Sequence, residues 1–466
     1  MGRVYCNTAF FHEQASDTAK GLLLLAKGDE IGDEGFYWLL MQAANTFGND
    51  KVGLDERVEW SLERYQEFLG YARDPYNNTG WFKADKPFVF LATCMELNLL
   101  EAWVEKGNEQ ETFVSSLPIA LDGSNNGSQH LAAMARDEQL APYVNLVPLD
   151  RPGDLYAYVG KLLWDELEEL EMRLPAAVFS RLDNVLEETT RLQSNYDSAT
   201  RGSEKKASAW EAVQTYRNNN RVLREALFPA YWRRITDPRL IRKIVKRGVM
   251  TLSYGATPFG MGQQIWDDTR GMTDYLGLQE KLWSNQLGAL LHRVSRKRLN
   301  KLGSMLQLFE TVADRFNDRE EHIEWLTPFT NFPVVQNYRK PTVARTKLSY
   351  AGQSMNVQLE DWDNSVLSKD SQRLGASPNL VHSFDACHLM LTADGCDFPL
   401  SLCHDSFGAT AGNVSALFRV VREEFVEFYE AEPLEDVLTQ LDCLDLAPQK
   451  GKLDIKKVLE SDFAFS

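Results

Sequence analysis

The chain has 466 residues, 44% of them hydrophobic, enough to bury a large core in two or more domains or subdomains. Its net charge of −17 and pI near 5.0 argue against a generally basic, nucleic-acid-binding surface, although a local cleft can still be basic. Six cysteines, at 6, 94, 387, 396, 403 and 443, form no CxxC pair, which suits reduced thiols. No signal peptide is visible, and apolar runs such as Gly21 to Ala26 are too short to span a bilayer, so a soluble intracellular protein is expected.

In chain order, residues 1 to 138 alternate short apolar strands with helices. Arg3-Val-Tyr-Cys6 reads as a strand. Lys20 to Ala26, Glu34 to Phe47 and Leu54 to Tyr71 read as helices, and Pro87 to Val104 as an apolar one. Leu117 to Leu121 is a buried strand candidate ending at Asp122-Gly123-Ser124. A Gly/Asn turn, Gly123 to Gly127, leads into a helix from Ser128 to Glu138. Residues 139 to about 330 read almost wholly helical, apart from an exposed polar loop at Ser194 to Ser208. From 331 to 361, Val334, Val335, Tyr338, Val343, Leu348, Tyr350, Val357 and Leu359 alternate with polar residues on either side of Ala351-Gly352, a hairpin pattern. Helical sequence resumes before His382. Pro399 to Cys403 then reads as a strand that delivers His404 and Asp405 to its end, with Ser406, Phe407 and Gly408 turning the chain. A helix follows, with Val414, Leu417, Phe418, Val421, Phe425 and Phe428 on one face. The fold class expected is α+β, mostly helical.

Three stretches carry chemistry. Asp122 and Asp405 each sit at the end of a predicted strand, and two carboxylates so placed can hold divalent ions about 4 Å apart for phosphoryl transfer. The third stretch is cationic. From Arg233 to Arg247 there are seven basic residues and one acid, Asp237. Arg242, Lys246 and Met250 recur every four residues and share a helix face, and Tyr254-Gly255 closes the run. A cationic helix face suits a triphosphate, which needs charge neutralisation and positioning. A second basic run, His292 to Lys301, reads as a solvated face.

In order, Leu121-Asp-Gly-Ser-Asn-Asn-Gly-Ser-Gln-His130, Arg242-xxx-Lys246-xxx-Met250-Thr-xx-Tyr254-Gly255 and His404-Asp-Ser-Phe-Gly408 resemble motifs A, B and C of the phage-type single-subunit RNA polymerases. Gly2-Arg-Val-Tyr5, Lys20-Gly-Leu-Leu, Asn379-Leu-Val-His-Ser383 and the terminal Ser461-Asp-Phe-Ala-Phe465 fit too, so the resemblance covers essentially the whole chain. It implies a right-hand polymerase fold, with palm at 1–138 and 382–466 and fingers at 139–381. The family's thumb and N-terminal promoter-binding domain have no counterpart in this reading.

The resemblance also implies roles. Asp122 and Asp405 would bind two Mg²⁺ ions, with the Gly123 carbonyl as a further ligand. Arg242 and Lys246 would hold the incoming triphosphate, and Tyr254 would help select ribose. Tyr156, Arg3, Lys51 and His382 fall at further positions near nucleotide or nascent RNA. The 331–361 hairpin falls where the family has its specificity loop, with Arg345, Lys347 and Gln353 as candidates for DNA contact. The expected activity is DNA-templated RNA synthesis from NTPs in the host cell cytoplasm of a phage. The expected partners are template DNA, RNA product and a small second subunit supplying the thumb and N-terminal part, docked near an apolar seam of Val4, Tyr5, Phe10 and Phe11. Two other readings compete: a His-Asp metal phosphohydrolase, which would need several His ligands, and a non-catalytic nucleic-acid-binding subunit with a polymerase-like fold.

Overall fold

A computed structural model describes residues 5–271, 281–350 and 353–466. Arg3 and Val4 of the predicted N-terminal strand lie outside the described residues, and so do Ala351-Gly352; Tyr5 and Cys6 are not in a strand. Helices dominate, and among the described residues the strands form four small antiparallel sheets. The chain divides into two compact units: residues 1–153 together with 305–466, and residues 154–304.

The first unit is built on the apolar helix Pro87–Glu105. Pro87 stands at its first turn, where its missing N–H costs nothing. The side chain of Asp17 accepts from the N–H groups of Phe88, at 2.8 Å, and Val89, at 3.3 Å. Satisfying those two orphan donors draws the N-terminal segment across the helix start. Gly21 lets it pass, because a Cβ there would lie 2.6 Å from the Phe88 carbonyl oxygen. The predicted helix Lys20–Ala26 is therefore replaced by a short one, Asp17–Lys20. The apolar run is also longer than the sequence reading allowed. At 19 residues, Pro87–Glu105 has the length and composition to cross a membrane. Here it packs against the helices Gly35–Phe47 and Tyr65–Arg73, with Phe90, Cys94, Leu97 and Leu100 buried. The predicted helix Leu54–Tyr71 is two, Leu54–Glu63 and Tyr65–Arg73, broken at Arg64, whose guanidinium lies over the Trp60 ring at 4.6 Å. Tyr5, Phe10 and Phe11 are exposed.

A three-stranded sheet follows. Ile119–Asp122 and Ser401–Cys403 both pair antiparallel with Ser406–Ala409, which is the central strand. The expectation that Ser406-Phe407-Gly408 turns the chain is corrected here: the turn is His404-Asp405 itself. Ser and Gly carry little strand propensity, so a four-residue strand built from them gave no signal. Its alternation is nevertheless strict. Ser406 and Gly408 face one side, while Phe407 is buried on the other, opposite Leu121.

Behind that face lies an aromatic core. Rings of Phe407, Phe425 and Phe465 pack around His388, from the helix Lys369–Asp394, at centroid distances of 5.2–5.3 Å. His388 Nε2–H donates to the Val421 carbonyl at 2.7 Å. Burial first, and then the neighbouring His130, push His388 down to about 4 from 6.5, against smaller opposing pulls from the Val421 carbonyl and then Asp385. The unfolded chain would take up this proton as pH falls through 6.5, whereas the folded chain refuses it until about 4. This contribution is therefore present at neutral pH and lost as pH falls across that window. Between pH 7.5 and 5.5 the wild type should lose about 1 kcal/mol more stability in urea unfolding than His388→Gln, which keeps a donor for Val421. Equal losses would contradict a neutral buried imidazole.

The predicted 331–361 hairpin is redistributed. Pro333–Gln336 pairs instead with Ile323–Leu326. The long ribbon is Arg339–Tyr350 against Gln353–Leu367. Both of its faces are largely exposed, so the alternation that marked the hairpin does not mark a buried face.

In the second unit the basic helix runs Pro238–Leu252. The Asp237 side chain caps it by accepting from the Arg239 N–H, and Pro238 opens the first turn. Ile244, Val245, Gly248, Val249 and Leu252 are buried, against the helices Leu155–Met172 and Lys281–Arg298 among others. The helices Pro258–Thr269 and Lys281–Arg298 touch backbone to backbone, since a Cβ on Gly288 would lie 2.2 Å from the Gly262 nitrogen. The predicted loop Ser194–Ser208 shrinks to residues 199–203, between the helices Leu182–Ser198 and Glu204–Asn219. In the second basic run, Arg293 and Arg298 both approach Glu166, at 3.7 and 3.8 Å, and stay at least half exposed, as a solvated face would.

Candidate active site

Asp122 is the last residue of its strand and stands opposite Ser406, while Asp405 immediately precedes Ser406 in the hairpin turn. The link between them is direct, because the Gly123 N–H donates to the Asp405 carbonyl at 3.0 Å. The two aspartates thus lie next to the same two backbone contacts, Asp122 opposite Ser406 and Gly123 on the Asp405 carbonyl. His404 holds φ at +57° in the two-residue turn, an uncommon conformation for a residue with a Cβ. That backbone choice keeps the loop at two residues and leaves Asp405 at the strand end.

The C-terminal tail completes the edge. Gly123 bridges antiparallel to Phe465, the Ser124 N–H donates to the Ala464 carbonyl, and the Ser466 N–H donates to the Asp122 carbonyl. Gln129 Nε2 donates to the carbonyls of Ala464 and Val144, and Arg422 Nε to that of Ser461. The Asp122 backbone is therefore held on both sides. The resemblance picked out the tail but not this function.

A cavity of about 220 Å³ opens on the outer face of the sheet. Asp122, Cys403, Ser406, Lys20, Lys86 and Ser466 are among its lining residues. Lys86 was not anticipated, and its ammonium lies 3.4 Å from Asp122 Oδ2. Burial is the main reason the Cys403 thiol sits above its ordinary range. The Asp405 and Asp122 carboxylates push the same way and Lys20 opposes them. Cys403 is therefore a protonated wall of the site. Asp50 also lines the cavity, whereas Lys51 points to solvent and pairs with Asp50 at 2.7 Å. The buried Arg57 pins that loop by donating to the carbonyls of Val52 and Asp50 and to Asn45 Oδ1.

Among the described residues, no group of three or more His, Cys, Asp or Glu side chains could hold a metal. Mg²⁺ does not need one, because it is commonly held by one or two carboxylates with water and substrate phosphates completing its shell. Asp122 in the cavity wall, with Asp405 in the adjoining turn, gives two hard-oxygen donors that fit that demand. They do not fit a histidine-rich hydrolase centre.

In the second unit the structure brings Tyr156, Arg242 and Lys246 together. The Arg242 guanidinium lies 5.2 Å, and the Lys246 ammonium 6.0 Å, from the Tyr156 ring centroid. Asp154 caps the helix that carries Tyr156, accepting from the Ala157 N–H at 3.0 Å, and also pairs with Arg242. Sequence reasoning missed Asp154, although an Asp after Pro152-Gly153 and before an apolar periodic run is an N-cap signal. Tyr254 is half-buried just past the helix end, where Gly255 takes φ +74°. His382 is half-buried on Lys369–Asp394. On the ribbon, Arg345 and Lys347 are exposed on one face, opposite Gln358 and Asn356, while Gln353 lies opposite Tyr350 on the other face.

A family model described as DNA-dependent RNA polymerase matches residues 29–444. The chain belongs to that family, in its phage-type branch. Over the whole chain, this polymerase-family sequence is 32% identical to T7 RNA polymerase of Escherichia phage T7, covering 52% of that relative. It is 33% identical to the DNA-directed RNA polymerase of Enterobacteria phage K11, covering 51% of it. It is also 30% identical to the mitochondrial DNA-directed RNA polymerase 1 of Nicotiana sylvestris, covering 42% of it. The chain thus spans about half the length of the phage relatives it matches. In each of these relatives the matched region is part of one longer chain, so the expected small second subunit finds no support in them.

Proposed function

We infer that the chain catalyses DNA-templated RNA synthesis, adding nucleotides from NTPs to an RNA 3′ end, with template DNA and RNA as its partners and the host cell cytoplasm as its place of action. The observation that carries this reading is that Asp122 stands opposite Ser406, the residue after Asp405, with Gly123 bonded to the Asp405 carbonyl, in a chain of this family. The palm and fingers assignments are part of the same reading.

Asp122 and Asp405 hold the metal, with the Gly123 carbonyl as a further oxygen. When bound, two Mg²⁺ ions supply the charge that activates the 3′ hydroxyl and stabilises the leaving pyrophosphate. Everything else is positioning. Lys246 and Arg242 neutralise the triphosphate. Asp154 holds the Arg242 fork in place until the phosphates compete for it. Tyr156 presents a ring face to both cations. Arg3, Lys51 and His382 serve the nucleotide and nascent strand, and Arg345, Lys347 and Gln353 the DNA.

Tyr254 hydrogen-bonds near the ribose 2′-OH, so Tyr254→Phe should keep RNA synthesis and shrink the rNTP-over-dNTP preference by about tenfold, the worth of one hydrogen bond. An unchanged preference in single-turnover assays would make Tyr254 structural.

The reading is tested by extending an RNA primer on a DNA template with Mg²⁺ and one NTP at a time. The NTP complementary to the template base should be added and the other three refused. Binding without extension would favour a non-catalytic subunit, and NTP hydrolysis without extension a phosphohydrolase.

A further inference from the structure

The candidate active site already contains a cation of the chain's own. Lys86 is the residue before Pro87 at the start of the apolar helix, and its backbone is fixed on both sides. Its N–H donates to the Thr46 carbonyl at 3.0 Å, and its carbonyl accepts from the Phe90 N–H at 2.9 Å. The preceding Asp85 N–H donates to the Phe47 carbonyl at 3.2 Å. From this rigid root only the side chain can swing. Its ammonium lies 3.4 Å from Asp122 Oδ2, with the two side chains 52% and 51% exposed. Both residues line the same cavity.

Exposed ion pairs of this kind contribute little to stability, so the contact is poorly explained as a fold-holding one. Its position explains it better. Gly123, the residue after Asp122, donates to the Asp405 carbonyl, and both carboxylates act on the Cys403 thiol, so two negative charges gather here and call for a counter-charge.

Resting on the reading of Asp122 as a metal ligand, we propose that Lys86 is a positioning residue that serves as a placeholder cation. It neutralises Asp122 before a divalent ion arrives and must leave the carboxylate when the ion binds. A lysine suits this, being a monovalent point charge on a flexible stem. The consequence is weak affinity for free divalent metal. Loading then favours metal that arrives with triphosphate oxygens already in its shell.

The probe is free Mn²⁺, titrated into the whole chain without nucleotide and followed by the electron paramagnetic resonance of the unbound ion. Lys86→Met should tighten Mn²⁺ binding by about three- to tenfold, the size expected for one half-exposed charge at this distance. Raising the salt should shrink the difference. Lys86→Arg, which keeps the charge, should stay within about twofold of wild type on the same grounds. Asp122→Asn should abolish binding in either background. If Asp122→Asn abolishes binding but Lys86→Met binds Mn²⁺ no more tightly than wild type, the placeholder role is wrong and the metal assignment stands. If Asp122→Asn binds Mn²⁺ like wild type, the metal assignment fails and the placeholder role falls with it. Circular dichroism of each variant checks that the fold is intact.

Discussion

Replacing either Asp122 or Asp405 by Asn should lower nucleotide addition by about 1,000-fold or more, the scale seen when a charged group facing a transition state is removed. The substitution keeps size and shape and removes one formal charge. Neither change should unfold the protein. Asp122 is exposed at its strand end, and its backbone is held by the Gly123 and Ser466 hydrogen bonds rather than by its side chain. Asp405 sits in a two-residue turn whose geometry depends on the His404 backbone. RNA–DNA binding should therefore persist while chemistry stops. A variant that extends RNA at near-normal rate would remove that carboxylate from the mechanism.

Lys246→Ala should cost about 100-fold in kcat/KM for NTP, in line with the loss of one preorganised charge on a phosphate. Lys246 is exposed on a helix whose opposite face, Ile244, Val245, Gly248 and Val249, is buried, so the change removes charge without opening a core cavity. Lys246→Arg should recover part of the loss, because it restores charge but not the compact ammonium. Arg242 should not substitute for it, since in this reading Arg242 already neutralises its own share of the triphosphate. A Lys246→Ala enzyme with wild-type kcat/KM for NTP would show that the triphosphate is held elsewhere.

The candidate site could be read from the sequence because its residues lie where local signals are strong. Asp122 ends an apolar run, Asp405 follows another, and Arg242, Lys246 and Met250 recur at helical spacing. What escaped depends on distant partners. The four-residue strand Ser406–Ala409 is stable because it is central between two others, which nothing in its own composition announces. Lys86 meets Asp122 across 36 positions, and Asp154 meets Arg242 across 88. The Leu54–Tyr71 periodicity runs on through the break at Arg64, so the pattern gave no sign of two helices. The hairpin residues alternate in both sheets they join, so alternation could not say that Val334 pairs with Trp325 and Val335 with Glu324 rather than within the ribbon.

The central claim is that Asp122 and Asp405 hold the divalent ion for nucleotide addition. Fe²⁺ put in place of Mg²⁺, with ascorbate and peroxide, generates hydroxyl radicals that cut the backbone near the bound ion. With the chain on an RNA–DNA hybrid and the matching NTP, cuts should map to residues 121–124 and 403–407 and vanish in Asp122→Asn and Asp405→Asn. Cuts confined to other segments, or the same cuts in both variants, would contradict the account.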